Sequence, residues 1–463
     1  MATTRDLAEA QGFDRRRLVT AFVSGAHGGH EVDRTRPGRT VVGGLALAVL
    51  LVAGALVARL LVGGDPDGWD EPGLLIAEDS GALYVILERS EDPVLHPVPN
   101  VTSARLILGH VAPTLLSEDT IAAQELGPEL GILGAPQTVP DPDRLVHRGW
   151  SACTSVGGGL AVGISAEPGV RPVTDRGLTV VSEGRLFVVA TGRAEPGEPR
   201  RAYRYSLPDG GVADPLLAAL GLPITAAARE VPERWLRLLP SGGALDFASL
   251  GPQGYGEPAP DQGPGRLPAG SRIGQVVTTD GQHFQVLTVA GPATLDPFAK
   301  AVYEAAVRPS LAEPLSLEPV VLEETPRVRA ALPPFVGAHW PVGPLGEVHG
   351  EPCALLVAGT DDAPVVLLAT DPTEAASAEG LLAPAERVRV EPGHGGHARV
   401  DGGSSYLIDA RGAAHALVGD AAAQLGYGGV DAPLVPDAWV ELFEAGVPLS
   451  REGALCPDEQ ECR

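Results

Sequence analysis

The longest apolar run in the chain, Val41 to Ala58, carries no charged residue over eighteen positions and is followed by Arg59, Leu60, Leu61 and Val62. At 1.5 Å per residue a helix of that length covers about 27 Å, close to the ~30 Å hydrocarbon core of a bilayer. The pattern predicts one membrane-spanning helix over 40–62. Arg59 lies near one end, where its long side chain reaches the headgroups. The run begins some 40 residues into the chain and is longer than the ~7–15 apolar residues of a secretory signal, which favours an uncleaved anchor. Arg5, Arg15, Arg16, Arg17, Arg34, Arg36 and Arg39 precede it, whereas Asp65, Asp67, Asp70, Glu71, Glu78 and Asp79 follow it. The excess of arginine on one side predicts a cytoplasmic N-terminus and an extracytoplasmic remainder.

Beyond the turn-rich linker 63–73 the pattern changes to short alternating stretches that recur. Gly81-Ala-Leu-Tyr84, Gly184-Arg-Leu-Phe187, Gly281-Gln-His-Phe284 and Gly403-Ser-Ser-Tyr406 each set a glycine three residues before an aromatic and an apolar stretch. Each reads as a tight turn feeding a β-strand. Two of the copies continue alike. Asp214-Pro-Leu-Leu-Ala-Ala-Leu-Gly221 is followed by Val231-Pro-Glu-Arg-Trp235-Leu-Arg-Leu-Leu239, and Asp420-Ala-Ala-Ala-Gln-Leu-Gly426 by Val435-Pro-Asp-Ala-Trp439-Val-Glu-Leu-Phe443. Both read as a helix stopped by Leu-Gly, then a second short helix with proline at its first position. Trp235, Leu238, Leu239, Trp439, Leu442 and Phe443 share helical spacing and are expected to face a core.

This pattern predicts four divergent copies of one α/β unit, which points to a structural or binding scaffold. The stretches between copies one and two and between copies three and four hold Cys153 and Cys353. Residues 251–270 carry eleven glycines or prolines in twenty positions and are expected to form a mobile loop between copies two and three.

The 463 residues suffice for two to four domains, and 44% hydrophobic against 20% charged residues predicts packed cores. A net charge of −25 argues against nucleic-acid binding and for a solvated acidic surface. Four cysteines, Cys153, Cys353, Cys456 and Cys462, contain no CxxC and allow three pairings. Cys456 and Cys462 lie close enough to bridge within a polar tail expected to pack little. That leaves Cys153 for Cys353, 200 positions away. Such a bridge needs an oxidising compartment, in agreement with the orientation read from the arginines.

Few residues of the chain fall into patterns that carry chemistry. Lys300, the sole lysine, lies between Ala299 and Ala301, so no Gly-x4-Gly-Lys phosphate loop exists. The glycine-rich 157–163 lacks dinucleotide spacing and reads as a turn. Ser165 has no nucleophile-elbow context, and His30-Glu31 is not completed to HExxH. The pairs His27/His30 and His394/His397 fall on opposite sides of the predicted membrane and read as solvated turn histidines. No catalytic, cofactor or metal residue is assigned. The leader Asp14–Val23 has the makings of a basic amphipathic helix for anionic lipid or a partner subunit.

The N-terminal TTRDL…FDRRRLVTAF, SGALYV followed by PNVTSARLILG, GPELGILGAP, WSAC, DPLLAALGL and VPERWLRLLP occur in this order along the chain. Together they resemble the EccB family of actinobacterial type VII (ESX) secretion systems. The resemblance implies an α+β protein: one N-terminal transmembrane helix and an elongated extracytoplasmic domain of four divergent α/β repeats around a β-rich discontinuous central module. It implies an inner-membrane location, assembly with EccC, EccD and EccE, contact with the mycosin protease, and association with further copies of itself. The resulting segments are a cytoplasmic leader 1–39, a transmembrane helix 40–62, a linker 63–73 and repeat 1 over 74–135. The central module takes its first segment from 136–176; repeat 2 covers 177–250, the Gly/Pro loop 251–270 and repeat 3 271–309. The module's second segment is 310–390, followed by repeat 4 over 391–450 and the tail 451–463. The expected function is a non-catalytic subunit around the secretion pore. The alternatives are a membrane-anchored ATP hydrolase, the label some EccB-like proteins carry, and an envelope-binding module.

Overall fold

A computed structural model describes residues 4–24, 65–90, 92–109, 111–155, 159–194, 197–208, 211–250, 253–260, 262–263, 267–310, 314–323, 339–357, 363–371 and 387–456. The chain divides into two compact units, Met1–Asp65 and Pro66–Arg463. In the first, Thr4–Ser24 is a 21-residue helix. Leu7, Phe13, Leu18, Val19 and Phe22 stand exposed on it. Among the described residues no helix is long and apolar enough to cross a membrane. The run Val41–Ala58, with His27 and His30, lies outside them.

Among the described residues the second unit contains five sheets, four of which are built on a three-stranded antiparallel meander with at least one parallel addition. In the first, Gly73–Ala77, Leu83–Ile86 and Val94–Val98 form an antiparallel meander. The helix Val101–Leu108 then leads to Thr114–Leu116, parallel to the first strand. The helix Glu118–Ala122 leads to Glu125–Leu126, parallel to the third. The second sheet follows the same path: meander Arg176–Ser182, Arg185–Thr191 and Ala202–Ser206, helix Ala213–Leu220, strand Arg229–Glu230, helix Glu233–Arg237, strand Ser241–Ala244. The third has meander Val276–Thr278, Phe284–Thr288 and Gly291–Leu295, helix Pro297–Ser310, and Val320–Val321 parallel to its first strand. The fourth has meander Gly396–Arg399, Ser405–Ile408 and Ala413–Leu417, with helices Ala421–Gln424 and Asp437–Val440. Its parallel additions are a bridge from Leu434 to Arg399 and the strand Glu444–Ala445.

Local chemistry explains the repetition. Gly81, Gly184, Gly281 and Gly403, which open the second strand of each meander, have φ between 69° and 86°. A Cβ on any of them would meet nothing within 4 Å, so the left-handed dihedral alone selects glycine there. A second device appears only in three dimensions. The residues just before Pro97, Ser206 and Ala416, which lie opposite Tyr84, Phe187 and Tyr406, are His96, Tyr205 and His415. Each ring lies over a glycine within or immediately after the last parallel strand: a Cβ on Gly127, Gly242 or Gly446 would fall 2.5, 2.1 or 2.4 Å from it. His96 Nδ1 meets the Pro128 carbonyl at 3.0 Å, and His415 Nδ1 meets that of Val447 at 2.8 Å. In each case the carbonyl follows the glycine.

The fifth sheet runs Arg387–Val390, Leu160–Ile164, Trp150–Thr154, Glu351–Val357, Val365–Asp371, Arg171–Pro172. It draws strands from two distant stretches of chain. One of its faces shares a core with the second and fourth sheets. Sheets two and three share another core, in which helix Ala213–Leu220 packs on Pro297–Ser310. Sheets one and four share a third, where Val101–Leu108 packs on Ala421–Gln424 and on the helix Arg451–Ala454.

Several expectations need correction. Residues 160–163 are a strand of the central sheet and not a turn. Pro232 and Pro436 are N-caps, one position before the helices they were expected to start; with φ near −60° they set the entry in either place. The Gly/Pro-rich stretch contributes Ala259 and Leu267, which pack with Ile273, Val277, Leu287 and Leu322. It covers the third sheet, because an outer face of valine and leucine needs a lid of apolar side chains. The third sheet extends past 309 to Val320–Val321. Ala454 and Cys456 are buried, so the start of the tail packs into the core. Cys462 lies outside the described residues.

Candidate scaffold site at the bridged central sheet

Trp150–Thr154 pairs antiparallel with Glu351–Val357, placing Cys153 opposite Cys353 and Ala152 opposite Ala354. The two cysteines form a disulfide. Both are buried, in a small cluster with Leu355 and Ala369 on one face of the sheet. The β-propensity of the two runs builds the strands, and their register decides which side chains can meet. Cys456 is also disulfide-bonded.

The other face meets the two short helices that follow Val-Pro. Trp235 and Trp439 are both fully buried against it. Trp235 Nε1 donates to the Ala152 carbonyl at 2.9 Å, whereas Trp439 Nε1 is buried with no partner among the described residues. Trp150 donates to the Val146 carbonyl at 3.1 Å and stands edge-on to Phe443, with centroids 5.5 Å apart. Arg237 and Glu441, at matching places in the two helices, pair at 2.9 Å. Both are about half exposed, so the pair contributes at most about 1 kcal/mol. Arg229 pairs with Glu351 at 3.0 Å, and Thr154 Oγ1 donates to the same carboxylate at 3.2 Å. This cluster fastens the second sheet to the central one. The sequence marked the tryptophans as core residues; Glu351 and Arg229 gave no signal, because their meeting depends on strands about 120 residues apart.

The fourth sheet holds a buried carboxylate. Burial works against the charge of Asp409, but His415, the Ala413 and Arg411 amides and the Arg411 guanidinium hold its pKa down at about 2. Asp409 closes the turn at the end of Ser405–Ile408, a structural role.

Ser165 donates to Glu391 at 3.0 Å, and the other oxygen of Glu391 faces His394 at 3.7 Å. The carboxylate stands between the hydroxyl and the imidazole, so the histidine does not touch the serine as it does in a Ser-His-acid triad. Lys300 Nζ is engaged by Glu304 at 2.6 Å and lies 4.7 Å over the Phe284 ring, on a helix rather than in a phosphate-cradling loop. Among the described residues no three His, Cys, Asp or Glu side chains gather as metal ligands. His397, expected in a solvated turn, is instead buried on the strand Gly396–Arg399, its Nε2 3.0 Å from Ser405 Oγ. Burial, and secondarily the neighbouring His147, lowers its pKa to about 4.

The family model for the type VII secretion system ESX-1 transport TM domain B matches residues 1–460. A Mycobacterium marinum protein named ESX-5 secretion system ATPase EccB5 is 29% identical over 313 residues, 63% of this chain and 58% of that protein. The Mycobacterium tuberculosis ESX-2 secretion system ATPase EccB2 is 28% identical over 354 residues, 70% and 64% of the two chains. The matches thus span less than two thirds of these curated relatives. A chain of an intact ESX-5 inner membrane complex superposes with TM-score 0.59 at 23% identity, over 99% of this chain and 96% of that one. A chain of an EccB3 dimer from the ESX-3 core complex gives 0.60 at 24%, over 83% and 100%. These two likenesses concern the fold. The match of the family model along almost the whole sequence is the finding that identifies it: the chain belongs to the EccB family of type VII secretion components.

Proposed function

We propose that this chain is a non-catalytic scaffold subunit of an ESX inner-membrane complex. Residues 1–39 are read as cytoplasmic, 40–62 as the transmembrane anchor and the rest as extracytoplasmic. The four sheets of shared connectivity are read as repeats 1–4 around the discontinuous central module. The observation that carries the reading is the packing itself. Four like units pair two by two around a sheet closed by the Cys153–Cys353 disulfide, an arrangement that offers repeated outer surfaces and commits its buried groups to holding them. The disulfide and the arginine-rich leader both support the proposed orientation.

By family, the partners are EccC, EccD, EccE, the mycosin protease and further copies of the chain. A solved relative is described as an EccB3 dimer and another as part of an ESX-5 inner membrane complex. The rival reading, an ATP hydrolase, rests on the names of relatives. Against it stand the missing phosphate loop and the engagement of Lys300 by Glu304. Purification from native membranes separates the two: a large assembly containing the chain, with no ATP turnover by the isolated full-length protein, supports the scaffold. Turnover that co-purifies with the lone chain and is abolished by one point substitution refutes it.

A further inference from the structure

We propose that His147 and His397 form an acid-sensitive latch that holds residues 140–147, which lead from the first sheet into the central one, against the start of the fourth sheet. The latch is a set of contacts between distant stretches of the chain. Tyr427 Oη donates to the Pro140 carbonyl at 2.7 Å. The Val146 amide donates to the Gly395 carbonyl at 2.8 Å, and Leu145 bridges Gly395 in parallel. Trp150, the first residue of the central sheet, donates back to Val146. His397 lies inside this seam, with its ring centroid 5.4 Å from that of Tyr427 and only 2% of its surface exposed.

Both histidines carry a buried Nδ1 with no hydrogen-bond partner among the described residues. Among the described residues, the groups that meet them carry no negative charge to offset that of a cation. His397 meets the Ser405 hydroxyl from the neighbouring strand, the Tyr427 ring from the loop after Ala421–Gln424, and His147 from the connector. Arg105 and Asp141 pair with each other at 3.8 Å and act on Tyr427, and Glu391 faces His394. Among the described residues no carboxylate stands within ion-pair distance of His147 or His397. Burial lowers the pKa of both, that of His397 to about 4. A proton therefore binds more readily once the seam opens. Closure contributed by these groups is complete above about pH 6.5 and is lost as the pH falls toward 4. For His397 alone, a shift from 6.5 to about 4 raises the opening equilibrium about tenfold at pH 5.5 over pH 7.5.

Hydrogen exchange read by mass spectrometry tests the latch on the full chain in detergent micelles. Protection factors normalised to intrinsic exchange are compared at pH 7.5 and 5.5. Peptides covering 140–147 and 394–400 are expected to lose more than about tenfold in protection, since His147 adds to the effect of His397, while peptides over Val276–Thr288 change little. His147→Gln, at a half-buried position that tolerates a polar neutral side chain, is expected to shrink the loss. His147→Gln with His397→Gln is expected to abolish it. Should the double variant fail to fold, wild type and the single variant still decide. An equal loss in all peptides, no loss in the connector, or an undiminished loss in His147→Gln would each overturn the proposal.

Discussion

Replacing both Cys153 and Cys353 by alanine tests how much of the fold depends on one covalent link. The bridge closes a loop of 200 residues. In the chain-entropy relation such a closure removes about 5 kcal/mol of unfolded-state freedom at 25 °C, against about 2 kcal/mol for the roughly seven-residue loop that the expected pairing of Cys456 with Cys462 would close. The native state should tolerate the loss. The two residues are directly opposite in strands that stay paired from Trp150 to Cys153 by their own hydrogen bonds. Alanine introduces no buried hydroxyl where both thiol sites are closed to solvent. Because Cys456 is itself buried beside the helix Arg451–Ala454, Cys456→Ala forfeits about 1 kcal/mol of packing besides its short loop. The expected order is therefore a loss of about 4–5 kcal/mol for the central pair and about 3 kcal/mol for the tail. Urea unfolding of the full chain in detergent, without reductant, measures both. The m-value should rise in the central variant as its denatured chain expands. A loss under about 1 kcal/mol for the central pair, or one smaller than that of Cys456→Ala, would refute the loop argument.

Trp235→Phe should cost about 1–2 kcal/mol more than Trp439→Phe in the same unfolding assay, since only Trp235 loses a hydrogen bond, to Ala152, while the orphaned Trp439 N–H is simply removed. Gly242→Ala, whose Cβ would enter the Tyr205 ring, should cost about 3 kcal/mol. Gly184→Ala, in open space but at φ 76°, should cost about 1 kcal/mol; equal losses would show that the ring does not press on the last strand. Asp409, held at about pKa 2 against 3.8, contributes stability that is complete above about pH 4 and lost as the pH falls toward 2. Asp409→Asn should flatten that acid limb by about 2 kcal/mol, which an acid titration of the melting temperature reads. A reporter active only outside the cytoplasm, fused after Arg463, should work, and the same reporter fused before Thr40 should be silent.

Much of this protein is written in local pattern. The glycines at 81, 184, 281 and 403 mark the hairpins because a positive φ is a property of one residue and its neighbours, and needs no distant partner. The Val-Pro-acid-x-Trp helices and the burial of Trp235 and Trp439 follow from spacing alone. The family resemblance, too, is carried by short strings in order along the chain. What the sequence could not fix were the ends and joins. The strand at 160–164 looked like a turn because glycine is ambiguous between turn and strand until a sheet closes around it. The Gly/Pro stretch looked like a spacer because its few apolar residues have no periodicity.

Sequence by itself determined the hairpin turns and the short Val-Pro helices, the charge, and the absence of a phosphate loop, since each depends on residues within a few positions of one another. Tertiary structure alone decided which units pair and which side chains meet. It set sheet one on four and two on three, laid His96, Tyr205 and His415 over glycines some 30–40 residues away, brought Arg229 to Glu351 and enclosed His397 beside Tyr427. Those contacts are selected by the burial of whole apolar faces, a term that sums over the entire chain and leaves no mark at any single position.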